Sequence, residues 1–377
     1  MIRIAVVGLG KMGLSHLAIL RTHPEMDVVA VCDTFGMLLK GLRRYARLRT
    51  YSSFEEMLDK EALDAVLIAT PSRLHASMVK QALSKDLHVF CEKPFCLDIE
   101  QGRELIALAQ SKGLINQVGY HYRFVGTFAE AKRLLASGLM GGIHHIRAEA
   151  YGPVVLRSKG LTWRSKKSEG GGCLYDYACH AIDLIQFLHR TPGSVNGTVL
   201  NKVFSTDVDD EVYTTLRFPG GSTAHVAANW SDESFRKMSM QITIWGENGR
   251  MRIDRQEIQL YLTGAHASSD RFRRGWNTLY TTELTDPTWF YLRGEEYSMQ
   301  LDHFAHCING NQLPISSFET ALQTDIVLSK MIQDANEALP LTDNTMVRSI
   351  QSNHETSVIG TITASFRNLL GGRGTIR

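Results

Sequence analysis

Lys93 stands in Glu92-Lys93-Pro94, directly after the apolar run Leu87-His88-Val89-Phe90-Cys91. In an open parallel α/β sheet the ligand crevice lies outside the carboxyl ends of the strands, so a lysine at a strand exit points at that crevice. Its amine could hold a substrate hydroxyl, share the hydroxyl's proton or supply positive charge. The plain alternative is a surface lysine at the end of a strand. A second constellation follows the glycines Gly170, Gly171 and Gly172, where Asp176 and His180 stand four residues apart in a helical pattern. That spacing sets the two Cβ atoms about 5–6 Å apart on one helix face. A carboxylate beside an imidazole raises its pKa and fixes its orientation, as a general base near neutral pH requires. Two other readings stay open: a helix-stabilising Asp–His pair, and a metal site drawing on Cys173, Asp176, Cys179, His180 and Asp183. No metal is expected, because these cysteines lack the spacing of structural zinc sites. Asp183 reads as a helix anchor or interface residue.

The elements that would hold Lys93 begin at the first residues. Met1 to Val7 is an apolar strand run followed by Gly8-Leu9-Gly10-Lys11-Met12-Gly13, then by a helix-compatible stretch to Arg21 and a second strand Val28 to Cys32. Gly8 permits a tight turn, Gly10 lets backbone approach a pyrophosphate, and Gly13 allows close helix–strand packing. The helix start offers free N–H groups to a diphosphate. Asp33 falls about 20 residues beyond Gly13, where a dinucleotide site needs a carboxylate for the adenosine ribose. Its charge predicts NAD(H) over NADP(H), since a 2′-phosphate about 4 Å away would be repelled by about 4 kcal/mol at an effective dielectric near 20. Thr34 and Phe35 supply no cation, and Lys40, Arg43 and Arg44 read as the solvent face of the next helical turn. Strands ending at Ala69, Cys91 and Val118 alternate with helical stretches, and Asp98 is placed to cap the helix that runs to Ala109.

The chain of 377 residues has room for two domains, and its 41 basic and 39 acidic side chains give no case for nucleic acid or a membrane surface. It opens on a strand without a signal-like segment and carries no run of the ~18 apolar residues a span needs, so a soluble, cytoplasmic protein is expected. Six cysteines without paired spacing argue against a disulfide scaffold. From about Ile143 the pattern changes to longer alternating strands, such as Val212-Thr214-Leu216-Phe218 and Met238-Met240-Ile242-Ile244, which mark a half-buried, largely antiparallel sheet. The expected organisation is a doubly wound parallel dinucleotide domain over 1–122 and an α+β domain on a large, mostly antiparallel open-faced sheet over 123–340. An extension follows over 341–377. The open face is expected to serve as a subunit interface. Residues 264–277, with Arg271, Arg273 and Arg274, read as a mobile loop whose arginines form a solvated face or an anion site. In the extension, Val358, Ile359, Ile362, Phe366, Leu369 and Leu370 fit an apolar helical face stopped by Gly371-Gly372.

The motifs GLGKMG (8–13), ATPSRLH (69–75), CEKP (91–94), VGYHYRF (118–124), WR (163–164), GGGCLYDYACHAID (170–183) and HFAHCINGNQLP (303–314) resemble the successive landmarks of the Gfo/Idh/MocA oxidoreductases. The resemblance covers roughly 1–340. It implies a Rossmann domain, a second domain whose open sheet makes homodimer or homotetramer contacts, a nicotinamide cofactor, and a catalytic set mapping onto Lys93, Asp176 and His180. On the cofactor side it adds Thr34, Thr70, Pro71, His75 and Glu92 to the glycine loop, Asp33 and Lys93. Two departures stand out: His121 where the family often has Asn, and Thr70-Pro71-Ser72 where it has TPN. The implied reaction is reversible hydride transfer between nicotinamide and a secondary hydroxyl of a sugar, cyclitol or derivative. His180 is the expected base, Asp176 its partner and Lys93 the group on the reacting oxygen, although the roles of Lys93 and His180 could be exchanged. Tyr120, His121, Arg123, Trp163, Arg164 and Tyr177 are expected to line the substrate pocket. A sugar nucleotide is the competing substrate, with Arg157, Lys159, Arg164, Lys166 and Lys167 facing its diphosphate. Transient oxidation coupled to elimination or glycoside hydrolysis, and a dinucleotide-binding sensor, are the alternative functions; retention of both Lys93 and His180 favours catalysis.

Overall fold

Short, almost wholly apolar segments leave the chain little choice but a sheet covered on both faces. In the computed structural model, which describes residues 1–154, 163–264, 271–310 and 312–337, these segments form a six-stranded parallel sheet in the order β3-β2-β1-β4-β5-β6. Its elements are β1 (Ile2–Val7), α1 (Lys11–Leu20), β2 (Met26–Cys32), α2 (Gly36–Gly41), β3 (Arg49–Tyr51), α3 (Phe54–Lys60), β4 (Ala65–Ile68), α4 (His75–Ser84), β5 (His88–Cys91), α5 (Ile99–Ser111) and β6 (Asn116–Val118). All four residues of β4 are buried, as a central parallel strand requires. Asp98 caps α5 as its type and place predict, accepting the Gln101 N–H at 2.9 Å.

The rest comprises α6 (Gly126–Ala136), β7 (Ile143–Tyr151), α7 (Cys179–Leu188), β8 (Ser194–Asn201), β9 (Glu211–Arg217), β10 (Thr223–Asn229), β11 (Ser239–Gly246), β12 (Gly249–Ile253), β13 (Glu257–Leu262), β14 (Gly275–Tyr280), α8 (Thr281–Leu284), α9 (Glu295–Ile308) and α10 (Phe318–Glu337). Eight strands order as β14-β13-β12-β11-β7-β10-β9-β8, antiparallel except for the β7–β10 pair. Period-two alternation buries one face. Ile146, Ala148, Ala150, Val226, Ile242 and Met251 share a core with Phe128, Leu134, Ile182 and Ile185 of α6 and α7. The other face leaves Tyr213, Tyr261 and Trp276 exposed.

Two expectations about organisation need correction. The chain past residue 122 does not all join the second sheet. Leu301, Phe304 and Ala305 of α9 enter the core of the first, beside Leu17 and Leu20 of α1, and Phe318 of α10 stacks on Phe95 with ring centroids 4.2 Å apart. A doubly wound sheet needs helices on both faces, and here the carboxyl-terminal helices supply part of that cover. Within 264–277, residues 265–270 lie outside the described residues and Gly275 already begins the edge strand β14; Arg271, Arg273 and Arg274 are exposed as expected, with Arg271 Nη1 also 2.7 Å from Glu130 Oε1. The helical pattern at 358–370 and Arg157 and Lys159 also lie outside the described residues.

Candidate active site

The turn after β1 explains its glycines one by one. Gly8 has φ +84°, and a Cβ there would meet the Ala69 backbone at 2.7 Å; a Cβ on Gly13 would lie 1.7 Å from Gly8 O. A Cβ on Gly10 would meet nothing within 4 Å, so its outer side is open for a ligand. No side chain caps the start of α1, which leaves its N–H groups for an anion. Asp33 accepts from the Leu9 N–H at 2.5 Å and the Phe35 N–H at 2.7 Å, which fixes its carboxylate at the edge of this turn. Lys11 and Thr34 are exposed beside it and Met12 is half-buried. Open backbone, helix start and fixed carboxylate together fit a dinucleotide. Arg43 donates to Thr50 Oγ1, and Lys40 and Arg44 are exposed.

His75 is placed differently from expectation. It is buried, with Nδ1 2.8 Å from Pro94 O and Nε2 3.0 Å from Thr70 O, so it ties the Thr70-Pro71 loop to the lysine loop instead of facing a ligand. Glu92 is gripped from α1: its Oε1 lies 2.7 Å from His16 Nε2. Burial raises its pKa, but the bond to His16 and the charges of His16 and Lys93 together outweigh this and the net shift is downward. A Cβ on Gly119 would come within 2.9 Å of the Glu92 carboxyl.

Lys93 reaches across to the segment preceding α7. Its Nζ lies 3.1 Å from Asp176 Oδ1 and donates to Asp176 O at 2.9 Å. Arg164 Nε donates to Asp176 Oδ2 at 2.9 Å. The segment Leu174–Ala178 is a π-helical turn whose start is held by Asp209, through the Cys173 N–H to its carbonyl at 2.9 Å and the Leu174 N–H to its carboxylate at 2.6 Å. Gly172 must be glycine here: φ is +112° and a Cβ would lie 2.5 Å from Asp209 Oδ1. Burial opposes charge on Asp176, yet Lys93 and Arg164 overcome it and hold the carboxylate at about 2. Burial also opposes charge on Lys93. The Cys179 sulfur and Asp176 outweigh it, and Asp176 decides at neutral pH, where burial keeps the Cys179 thiol protonated by raising its pKa to about 12. Lys93 is therefore a tightly held ammonium.

His180 lies in other company. Its ring meets those of His121, Tyr122 and Tyr120 at 5.0, 5.3 and 5.9 Å, each near edge-on. Burial, then the Lys93 charge, pushes its pKa well below 6.5. This corrects the expected Asp176–His180 pair. The two share a helical side, but Lys93 and Arg164 each bring a full charge to the carboxylate, where a neutral imidazole offers one donor.

Three expected pocket residues are committed elsewhere. Arg123 forks onto Asp183, with Nε to Oδ2 at 2.9 Å and Nη2 to Oδ1 at 2.6 Å, and donates further to Ile315 O and Thr320, all beneath the surface. Asp183 is thus the anchor its position suggested. Tyr120 is wholly buried, and the Tyr177 hydroxyl sits over Gly152, where a Cβ would be 2.5 Å away. His121 and Arg164 do join Lys93, Asp176 and His180; the Trp163 side chain lies outside the described residues. Tyr297 of α9 was missed: it stacks on His121 at 4.6 Å, with its hydroxyl 3.4 Å from His121 Nε2. No local signal marks it, since it arrives from a helix 176 residues downstream. His16 had one: it falls on the first helix, a turn after Gly13, in a stretch otherwise made to pack. Among the described residues, no group of three or more His, Cys, Asp or Glu side chains could hold a metal ion, and no helix is long and apolar enough to cross a membrane.

A parallel sheet carrying a glycine turn, with a lysine and a histidine where it meets a second sheet domain, defines a dinucleotide-dependent oxidoreductase architecture. Residues 2–120 match the profile of the oxidoreductase family with NAD-binding Rossmann fold, and residues 128–252 match the GFO/IDH/MocA C-terminal domain. The chain belongs to this GFO/IDH/MocA family, and its first domain is an NAD-binding one. Over 266 residues it is 27% identical to 2,7-anhydro-N-acetylneuraminate hydratase of Escherichia coli, covering 68% of each chain. Over 322 residues it is 26% identical to the NAD-dependent scyllo-inositol 2-dehydrogenase of Bacillus subtilis, covering 83% of this chain and 88% of the relative. Levoglucosan dehydrogenase in complex with NADH and levoglucosan superposes with a TM-score of 0.77 at 24% identity, over 89% of this chain and 97% of the other.

Proposed function

We propose that this protein is an NAD-dependent dehydrogenase acting on a secondary hydroxyl of a sugar, cyclitol or sugar derivative. The observation that carries the reading is the separation of two basic groups within one buried cluster: Lys93 held charged by Asp176, and His180 held neutral among aromatic rings. Environments that push two titratable groups apart in this way assign a donor and an acceptor. Bound NAD supplies the acceptor for the hydride. His180 takes the hydroxyl proton, and the Lys93 ammonium, whose longest contact is the 3.5 Å one to Tyr175 O, turns that donor to the oxygen as negative charge develops. Asp176 keeps Lys93 charged and aimed. In the reverse direction the His180 imidazolium returns the proton.

Asp33, fixed at the ribose edge, supports NAD(H) over NADP(H). A polyhydroxylated ring suits a site walled by His121, Tyr122 and Tyr297. Arg164 and the exposed Lys166 and Lys167 keep a sugar nucleotide as the competing substrate. The hydratase name of the Escherichia coli relative supports one second reading, transient oxidation coupled to loss or addition of water. The aromatic open face of the second sheet supports assembly into a homodimer or homotetramer, and reliance on NAD(H) fits work in the cytoplasm. Inositols, aldoses, glycosides and sugar nucleotides offered with NAD should include one that yields stoichiometric NADH. Product formed without net NADH would support the second reading, and no turnover with any ring hydroxyl would refute the first.

A further inference from the structure

The loop that carries Lys93 runs from the end of β5 to the start of α5, and buried groups from three other elements grip it. His16 of α1 holds Glu92, His75 of α4 sits on Pro94 O, and the third grip comes from the last helix. There the Cys96 N–H donates to Asp325 Oδ2 at 2.9 Å, and the Phe95 N–H also points to this carboxylate. In α10, Phe318, Leu322 and Asp325 follow one another at four and three residues and so share a helix face. Phe318 stacks on Phe95, and Leu322 packs so closely on Gly102 of α5 that a Cβ there would come within 2.5 Å of it. Asp325 is the polar exception in that stripe. It is 3% exposed, and its Oδ1 has no hydrogen-bond partner among the described residues. A buried carboxyl so placed costs stability relative to an apolar residue unless its bonds serve another purpose.

We propose that Asp325 is a positioning residue for Lys93: its grip on the Phe95–Cys96 backbone fixes the loop and thereby sets where the ammonium meets Asp176 and the substrate oxygen. This rests on the role given to Lys93 above. A displacement of about 1 Å in a catalytic group can cost about 10²-fold in rate. A purely structural carboxyl would act on stability, whereas a positioning one acts on turnover at unchanged cofactor affinity.

The test compares Asp325→Leu, which fills the volume but cannot accept, with Asp325→Asn, which keeps a carbonyl acceptor, in native and Lys93→Ala backgrounds. Folded Asp325→Leu should lose about 10²-fold in kcat. NADH affinity, read by fluorescence titration, should stay within about twofold, and Asp325→Asn should recover most of the loss. In the Lys93→Ala background Asp325→Leu should cost nothing further, because the group it positions is gone. If Asp325→Leu does not fold, Asp325→Ala takes its place and is read identically. Native kcat in the folded variant, or a full additional loss in the Lys93→Ala background, would overturn the inference. Native kcat in Lys93→Ala itself would instead sink the role of Lys93, so the two failures are distinguishable.

Discussion

The site divides into an ionic half and an aromatic half, and both are buried. In the first, Lys93 and Arg164 each sit within hydrogen-bond distance of Asp176, on opposite carboxylate oxygens. In the second, His180 is enclosed by the rings of His121, Tyr122 and Tyr120. Burial disfavours charge in both, yet Lys93 stays charged and His180 neutral. The difference lies in what each group is buried against. A carboxylate that is itself fixed by a second cation repays the desolvation of an ammonium, whereas ring edges and a nearby positive charge leave an imidazole with no such return. Dehydrogenation needs this asymmetry, a proton acceptor and a fixed positive charge at one oxygen.

Removing either half's central group should have the largest effect. Lys93→Ala and His180→Ala should each lower kcat at least ~10²-fold while NADH still binds, as measured by steady-state kinetics and fluorescence titration. Near-native turnover in either would erase the division of labour. Asp176→Asn should have a smaller effect, roughly tenfold on kcat, because it weakens the charged half without removing its ammonium. Its sign on the pH profile is set. The carboxylate favours protonated Lys93, so a neutral amide lets Lys93 lose its proton at lower pH, and the alkaline fall in activity should move down. An upward move would contradict the pairing. The same carboxylate, held at about 2, stabilises the fold fully above its ordinary value of 3.8 and loses that contribution as pH falls through about 2. Thermal melts of native and Asp176→Asn protein should therefore converge in strong acid. The smallest effect is expected from His121→Asn in the aromatic half. It should leave the kcat of the best substrate within about threefold while altering relative KM values across ring substrates, since His121 meets the base edge-on without bonding it.

The first sheet was legible in the sequence because its signals are local. An apolar strand, three glycines and an acid at the end of β2 are read within one βαβ unit, and Lys93 follows from its place at a strand end. The Asp176–His180 pairing was misread for the same reason. Helical spacing reports which side chains share a face, but not that a lysine 83 residues upstream will take the carboxylate. Arg123 looked like a pocket residue because it follows a strand exit, and only the arrival of α7 with Asp183 commits it to the core. His16, Tyr297 and Asp325 act through contacts spanning 76, 176 and 229 residues, distances over which no periodicity carries information.

The pH dependence of kcat/KM for alcohol oxidation, compared between native protein and His180→Ala, tests the central claim most directly. A neutral His180 and a charged Lys93 predict native activity that is level through neutral pH. It should fall in acid only below 6.5 as His180 gains its proton, and in alkali only above 10.5 as Lys93 loses its own. The residual activity of His180→Ala should lack the acid limb. An acid limb at or above pH 7, or one that persists unchanged in His180→Ala, would show that His180 is not the proton acceptor.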